Sequence, residues 1–190
     1  MGLDSVHLLM KIEDYFQISF KDKDAEKIYT VEDLSIVISE KKGIIETEKR
    51  LLDNFTFKIL KIINESNNGL FDKTTAISKI ESTYSDDFYK SISLRLNLKI
   101  PRPYKNDNSK IIKIFRKILH STSYNWKEIT LENFAEAILI KNFEKFTDKN
   151  QINSTYEVYI ICAGIIAKKM DVDCYEIKPW KRITTDLGID

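Results

Sequence analysis

The chain has 190 residues, of which 43% are hydrophobic and 31% are charged, and its formal net charge is +1. This balance fits a globular protein with a sizeable core. No apolar run is long enough to span a bilayer, and the N-terminus lacks the basic-then-apolar order of a signal peptide. Only 5 Gly and 3 Pro argue against a β-rich fold, so we predict an all-α protein.

The first 43 residues contain two predicted helices. Apolar residues recur at helical spacing from Ser5 to Phe16, and we expect the Ser5 side chain to cap the first turn. The segment 21–27 is charged and predicts a short polar helix or a loop. Thr30 and Asp33 form a variant of the capping box, which predicts a second helix ending near Gly43. The apolar positions expected to face inward from the first helix are Val6, Leu9, Ile12, Tyr15 and Phe16.

The middle of the chain predicts further helices, at 48–63, 92–98 and 111–119. Residues 127–134 parallel residues 27–34 one hundred positions earlier, which indicates an internal repeat. In that repeat, Asp87-Phe88-Tyr89 occupies the place of Asp4-Ser5-Val6.

The last 37 residues begin with the most apolar predicted helix, from Tyr156 to Met170. A loop with the sequence Glu-Ile-Lys-Pro follows at 176–179. Cys162 and Cys174 are too far apart for a redox or zinc pair, which favours a reduced, cytoplasmic setting. Trp126 and Trp180 are expected to anchor cores.

The two chain ends carry overlapping pieces of one motif. The chain opens Met1-Gly2-Leu3-Asp4-Ser5-Val6 and closes Thr185-Asp186-Leu187-Gly188-Ile189-Asp190. Joined, these pieces read Asp-Leu-Gly-(Ile/Leu)-Asp-Ser-Val, which resembles the attachment site of acyl carrier proteins. The resemblance extends over residues 1–43 and 154–190. It implies an acyl-carrier-like four-helix bundle assembled in permuted order from both ends, with 44–153 as an inserted, degenerate carrier-like module.

The resemblance also implies a function without catalysis by the protein itself. Ser5 would carry 4′-phosphopantetheine, whose thiol holds acyl groups as thioesters in fatty acid or polyketide biosynthesis. Asp4 would position the site for a phosphopantetheinyl transferase, and Gly2 and Leu3 complete the motif. The middle copy, with Phe88 in place of the serine, could not be loaded. The alternative is a carrier-like interaction or scaffold protein in which Ser5 stays unmodified.

The family presents an acidic recognition surface, which the resemblance places at Glu13, Asp14, Asp22, Asp24 and Glu26, and partners would also contact Val6. Its partners would be acyl-transferring or condensing enzymes. Residues 1–43 and 154–190 have net charges of −3 and −1, and 44–153 has +5. This pattern fits acidic ends that dock on basic enzymes, and it equally fits a solvated surface with mild charge segregation.

Other chemistries have little support in the sequence. His7 and His120 are isolated, and no Cys/His/Asp cluster has the spacing of metal ligands, so we expect no metal. The basic residues between 110 and 117 alternate with isoleucines and favour an amphipathic core helix over nucleic-acid binding. Whether the split domain closes within one chain or in a swapped homodimer remains open at this stage.

Overall fold

The computed structural model of the chain describes residues 2–67, 69–80, 85–103 and 126–190. Those residues contain eight α-helices, two short 3₁₀ helices and no strand, so the all-α prediction is confirmed for them. The predicted helix at 111–119 and its basic residues lie outside the described residues. The α-helices are α1 (Leu3–Phe16), α2 (Asp22–Ala25), α3 (Val31–Lys42), α4 (Arg50–Asn67), α5 (Asp86–Leu96), α6 (Leu131–Lys141), α7 (Phe143–Phe146) and α8 (Thr155–Lys169).

Helix α8 lies at the centre of the molecule. Every residue from Val158 to Ile166 is buried, so the helix has no solvent-facing side over this stretch. A helix that is apolar on all sides has to be covered by neighbours all round. Helices α1, α3, α6 and α7 supply that cover, and helices from both chain ends therefore pack together.

Helix α3 begins and ends as its sequence predicts. The Asp33 amide donates to Thr30 Oγ1 at 3.1 Å, and the Thr30 amide donates to Asp33 Oδ2 at 2.8 Å. This reciprocal pair satisfies two N–H groups that the first turn would otherwise leave without partners. At the other end, Gly43 adopts a left-handed conformation with φ 69°, which glycine takes without steric cost.

Helix α1 begins earlier than predicted. Its N-cap is Gly2, so Ser5 lies inside the first turn and the expectation that Ser5 caps the helix is wrong. The side of α1 that faces the core also differs from the prediction at this end. Val6 was expected to face inward, but it is 41% exposed. The buried positions of α1 are Ser5, Leu8, Ile12 and Phe16.

Helices α3 and α6 are anchored by the same backbone pattern. Thr30 and Thr130 are their N-caps, and each pairs in one antiparallel bridge, with Arg182 and Ala76 respectively. At α3 the donor–acceptor pairs are Val31 N to Lys181 O (3.1 Å), Glu32 N to Pro179 O (2.8 Å) and Ile183 N to Tyr29 O (2.9 Å). At α6 they are Leu131 N to Thr75 O (2.9 Å), Glu132 N to Lys73 O (3.0 Å) and Ile77 N to Ile129 O (2.8 Å). The two segments that anchor these helices follow α8 and α4, and correspondingly α3 packs on α8 and α6 packs on α4.

Helices α1 and α5 also end alike, which offers one way to match them. Gln17 and Asn97 both adopt left-handed backbone conformations, with φ of 53° and 54°. With these residues matched, Phe88 corresponds to the buried Leu8, and Ser85 corresponds to Ser5. This match differs by three residues from the sequence-based match of Phe88 to Ser5, which followed the local chemistry at the helix starts and not the buried stripe and the C-cap.

One hydrophobic cluster joins residues of both chain ends and of the middle. A buried ion pair ties the C-terminal segment to this core: Lys178 Nζ lies 2.6 Å from Glu136 Oε2. The hydroxyl of Tyr156 donates to the other carboxylate oxygen of Glu136 at 3.1 Å. Burial, with a smaller contribution from Glu136, raises the pKa of Tyr156, so its hydroxyl remains a donor. Among the described residues, no helix has the length and hydropathy needed to cross a bilayer.

We expect Lys178→Ala to destabilise the protein by about 3 kcal/mol, because it leaves the Glu136 carboxylate buried without its cation. Urea denaturation followed by circular dichroism measures this free energy of unfolding. The matched control is Lys168→Ala, since Lys168 pairs with Glu144 at 2.8 Å on an exposed surface. The control should lose less than about 1 kcal/mol. Equal losses in the two variants would contradict a structural role for the buried pair.

Candidate functional site

The two chain ends meet at the start of α1. The amide N–H groups of Asp4 and Ser5 both donate to the carbonyl oxygen of Asp190, at 2.6 and 3.1 Å. The first N–H groups of a helix have no partner within the helix, so this carbonyl oxygen satisfies two of them.

The Ser5 hydroxyl is enclosed by this contact. Ser5 is 5% exposed, and its Oγ donates to the carbonyl oxygen of Ile189 at 3.3 Å. The side chain belongs to the stripe of α1 that faces the core, together with Leu8 and Ile12. A transferase would therefore have no access to this oxygen while residues 188–190, which we name the C-terminal strap, stay in place.

Gly2 lets the C-terminal strap approach the helix closely. A methyl group built on its Cα would lie 2.1 Å from the carbonyl carbon of Asp190, closer than any side chain tolerates. Gly2, the N-cap of α1, thus meets the Asp190 backbone at the same helix start where the Asp4 and Ser5 amides donate to Asp190.

The turn before the strap holds it in place. The Arg182 amide donates to Asp186 Oδ2 at 3.0 Å, and this bond, ahead of other causes, keeps the pKa of Asp186 below its usual value. The carboxylate therefore stabilises the turn at neutral pH, and that contribution is lost as the pH falls through the folded-state pKa. Gly188 is left-handed, with φ 67°, and directs Ile189 into the core, where it is 2% exposed.

These residues do not fit a 4′-phosphopantetheine group in the closed conformation. A phosphodiester on Ser5 needs an accessible oxygen and benefits from free N–H groups at the helix start. Here the oxygen is buried, and the N–H groups of Asp4 and Ser5 already donate to Asp190. Loading would first require the strap to leave.

The outer face of α1 carries a row of exposed apolar side chains, which we name the α1 apolar row. It consists of Leu3, Val6 and Met10, which are 70%, 41% and 54% exposed. Their spacing of three and four residues places them on one side of the helix. From the sequence, Val6 was predicted to bind partners and Leu3 to complete the carrier motif, and Met10 was not predicted to have a role. The sequence contained a signal for this row, because Leu3, Val6 and Met10 have the same three- and four-residue spacing as the buried stripe. The row begins two residues before that stripe.

Two of the acidic residues predicted to bind partners, Glu13 and Asp14, have different surroundings. Glu13 is half-buried, and its Oε1 accepts a hydrogen bond of 2.6 Å from the Phe20 amide, so it holds the turn after α1. Asp14 is exposed and lies 3.7 Å from Lys11 Nζ, a distance typical of a weak surface pair. Of the two, only Asp14 presents its carboxylate fully to solvent.

The remaining candidates do not form a second reactive site. Cys162 and Cys174 are free and buried, and burial raises the pKa of both thiols, that of Cys174 to about 11. Both thiols therefore stay protonated and unreactive at neutral pH. No cluster in the described part of the chain has three or more side chains able to hold a metal ion. Trp180 is 66% exposed, so the prediction that it anchors a core is wrong.

No protein-family model matches this chain, and no solved structure matches it.

We expect Gly2→Ala to dislodge the C-terminal strap, because the added methyl group collides with the Asp190 backbone. Overpacking of this kind costs about 1–3 kcal/mol. Because this cost destabilises the closed state, amide hydrogen exchange at Asp4 and Ser5, followed by NMR, should accelerate roughly 5- to 160-fold. The control is Leu3→Ala, which trims an exposed side chain of the same turn. Unchanged exchange in Gly2→Ala would show that the strap does not rest on Gly2.

Proposed function

We propose that this chain is an acyl-carrier-like protein that works as an interaction or scaffold protein, with Ser5 unmodified. The observation that carries the proposal is the burial of the Ser5 hydroxyl under the C-terminal strap, where it donates to Ile189. A carrier that delivers acyl groups needs this oxygen to be accessible to a transferase and then needs a freely moving arm. The closed site offers neither.

The carrier-like part of the proposal rests on the order of the helices along the chain and on how they pack. The segments that resemble the family's helices, α1 and α3 at one end and α8 at the other, pack together in the folded chain. The motif pieces at 2–5 and 186–190 meet at the start of α1. The shared anchoring of α3 and α6 supports a second, degenerate copy in the middle of the chain.

The α1 apolar row is the surface we assign to partner binding. An exposed apolar row on a helix that is otherwise anchored to the core is typical of an interaction face. Asp14 adds an exposed carboxylate one helical turn beyond Met10. Partners of the class that act on carrier proteins, acyl-transferring or condensing enzymes, would dock here without receiving an acyl group.

A loaded carrier is the second candidate, and a specific observation favours it. The hydrogen bonds that join the strap to α1 are few: two from the Asp4 and Ser5 amides and one from the Ser5 hydroxyl. If the strap opened, Ser5 and the free N–H groups at the start of α1 would be exposed to a phosphopantetheinyl transferase. In that case the arm would supply the reactive thiol, and the protein would still not be an enzyme.

Intact-mass spectrometry separates the two candidates. The full chain is incubated with coenzyme A and a promiscuous phosphopantetheinyl transferase, beside an ordinary carrier protein as positive control. We expect no mass gain in the folded chain, while the positive control is converted. A gain of one phosphopantetheinyl group that disappears in Ser5→Ala would overturn the proposal and establish a loaded carrier. Circular dichroism of each sample ensures that folded protein is compared with folded protein.

A further inference from the structure

A groove of about 400 Å³ lies between α1, α7 and α8. Its floor is apolar and consists of Tyr15, Phe143 and Ile165. The rings of Tyr15 and Phe143 lie 6.0 Å apart between centroids. Phe143 is firmly seated, because a methyl group built on Gly164 of α8 would lie 2.1 Å from its ring. Gly164 thus lets the ring lie directly on the helix.

The rim of the groove is cationic. Four lysines and two acidic residues line it, which leaves an excess of two positive charges. Both acidic residues are already paired, Asp14 with Lys11 at 3.7 Å and Glu144 with Lys168 at 2.8 Å. Within the described part of the chain, no ion pair joins Lys149 or Lys169 to an acidic group. These two ammonium groups are therefore available to an anion at the groove.

The dimensions favour a small molecule over a protein segment. The wall from α1 runs from Lys11 to Tyr15, and the wall from α8 runs from Ile165 to Lys169. Each wall is about one helical turn long, roughly 6 Å of helix rise, which is too short to seat a partner helix of several turns. The volume falls within the range of small-ligand sites.

We propose that this groove binds a small amphiphilic anion, a carboxylate with an apolar tail. The tail lies against Tyr15, Phe143 and Ile165, and the carboxylate faces Lys149 and Lys169. Burial of the tail supplies affinity, and the lysines select for negative charge. The inference does not depend on whether Ser5 is modified, because none of these residues contacts the strap.

Isothermal titration calorimetry on the full chain tests the proposal with three matched probes below their aggregation limits. Decanoate has both tail and charge, decanol has the tail alone, and acetate has the charge alone. We expect saturable binding of decanoate that weakens as salt is raised, binding of decanol at least fivefold weaker, and none of acetate. Decanol that binds as tightly as decanoate, or decanoate that shows no saturable binding, would overturn the proposal.

A variant locates the site. The double substitution Lys149→Gln/Lys169→Gln removes both unpaired charges from the surface without altering the core. It should weaken decanoate binding about fivefold and leave decanol binding unchanged, since two exposed charge contacts carry about that much affinity. Lys58→Gln, on the exposed side of α4, is the control and should bind decanoate like the natural chain. Natural-strength decanoate binding by the double variant would contradict the assignment to this groove.

Discussion

From Val158 to Ile166, helix α8 is buried on every side, and this constraint organises the rest of the molecule. Each fully buried isoleucine side chain on it contributes about 1.5–3 kcal/mol relative to exposure, but only if neighbours cover every face. Residues 3–42 supply two of those neighbours, α1 and α3, and residues 131–146 supply α6 and α7. Because the cover comes from segments that are far apart in sequence, the two chain ends are brought together by the core. The contact between the ends at the start of α1 is a consequence of that packing.

The meeting of the ends encloses the start of α1, where the carrier resemblance would place its attachment serine. A helix start needs acceptors for its first N–H groups, and here the Asp190 carbonyl oxygen provides one for both Asp4 and Ser5. In a loaded carrier, that position suits the phosphodiester of the arm. Under the proposed function, the C-terminal strap occupies the position that the arm's phosphate would take in a loaded carrier, and Gly2 lacks the side chain that would keep the strap away. Because the strap covers the helix start, we place the function in the surface contacts of α1.

Signals between neighbouring residues predicted the helices well. The start of α1 and the burial of Ser5 depend instead on contacts between residues far apart in the sequence. The capping box at Thr30 and the apolar run of α8 depend on neighbouring residues, and both are confirmed. The start of α1 depends instead on Asp190, which lies at the far end of the sequence, so the cap was predicted three residues too late. Ser5 has the appearance of a capping residue in sequence, but its burial follows from the rotation of α1 against α8. The buried pair of Glu136 and Lys178 carried no local signal, because its members are 42 residues apart.

The proposed function of the chain depends on the enclosure of Ser5 by the C-terminal strap within one chain. Nuclear Overhauser contacts in the isotopically labelled full-length protein test it most directly. We predict contacts between protons of residues 3–5 and protons of residues 189–190, with intensities that do not depend on protein concentration. In a mixture of labelled and unlabelled protein, an experiment that detects only contacts between molecules should not show them. If these contacts are missing and residues 186–190 show random-coil chemical shifts, the strap is open, Ser5 is accessible, and the interpretation as an unmodified carrier-like protein is contradicted.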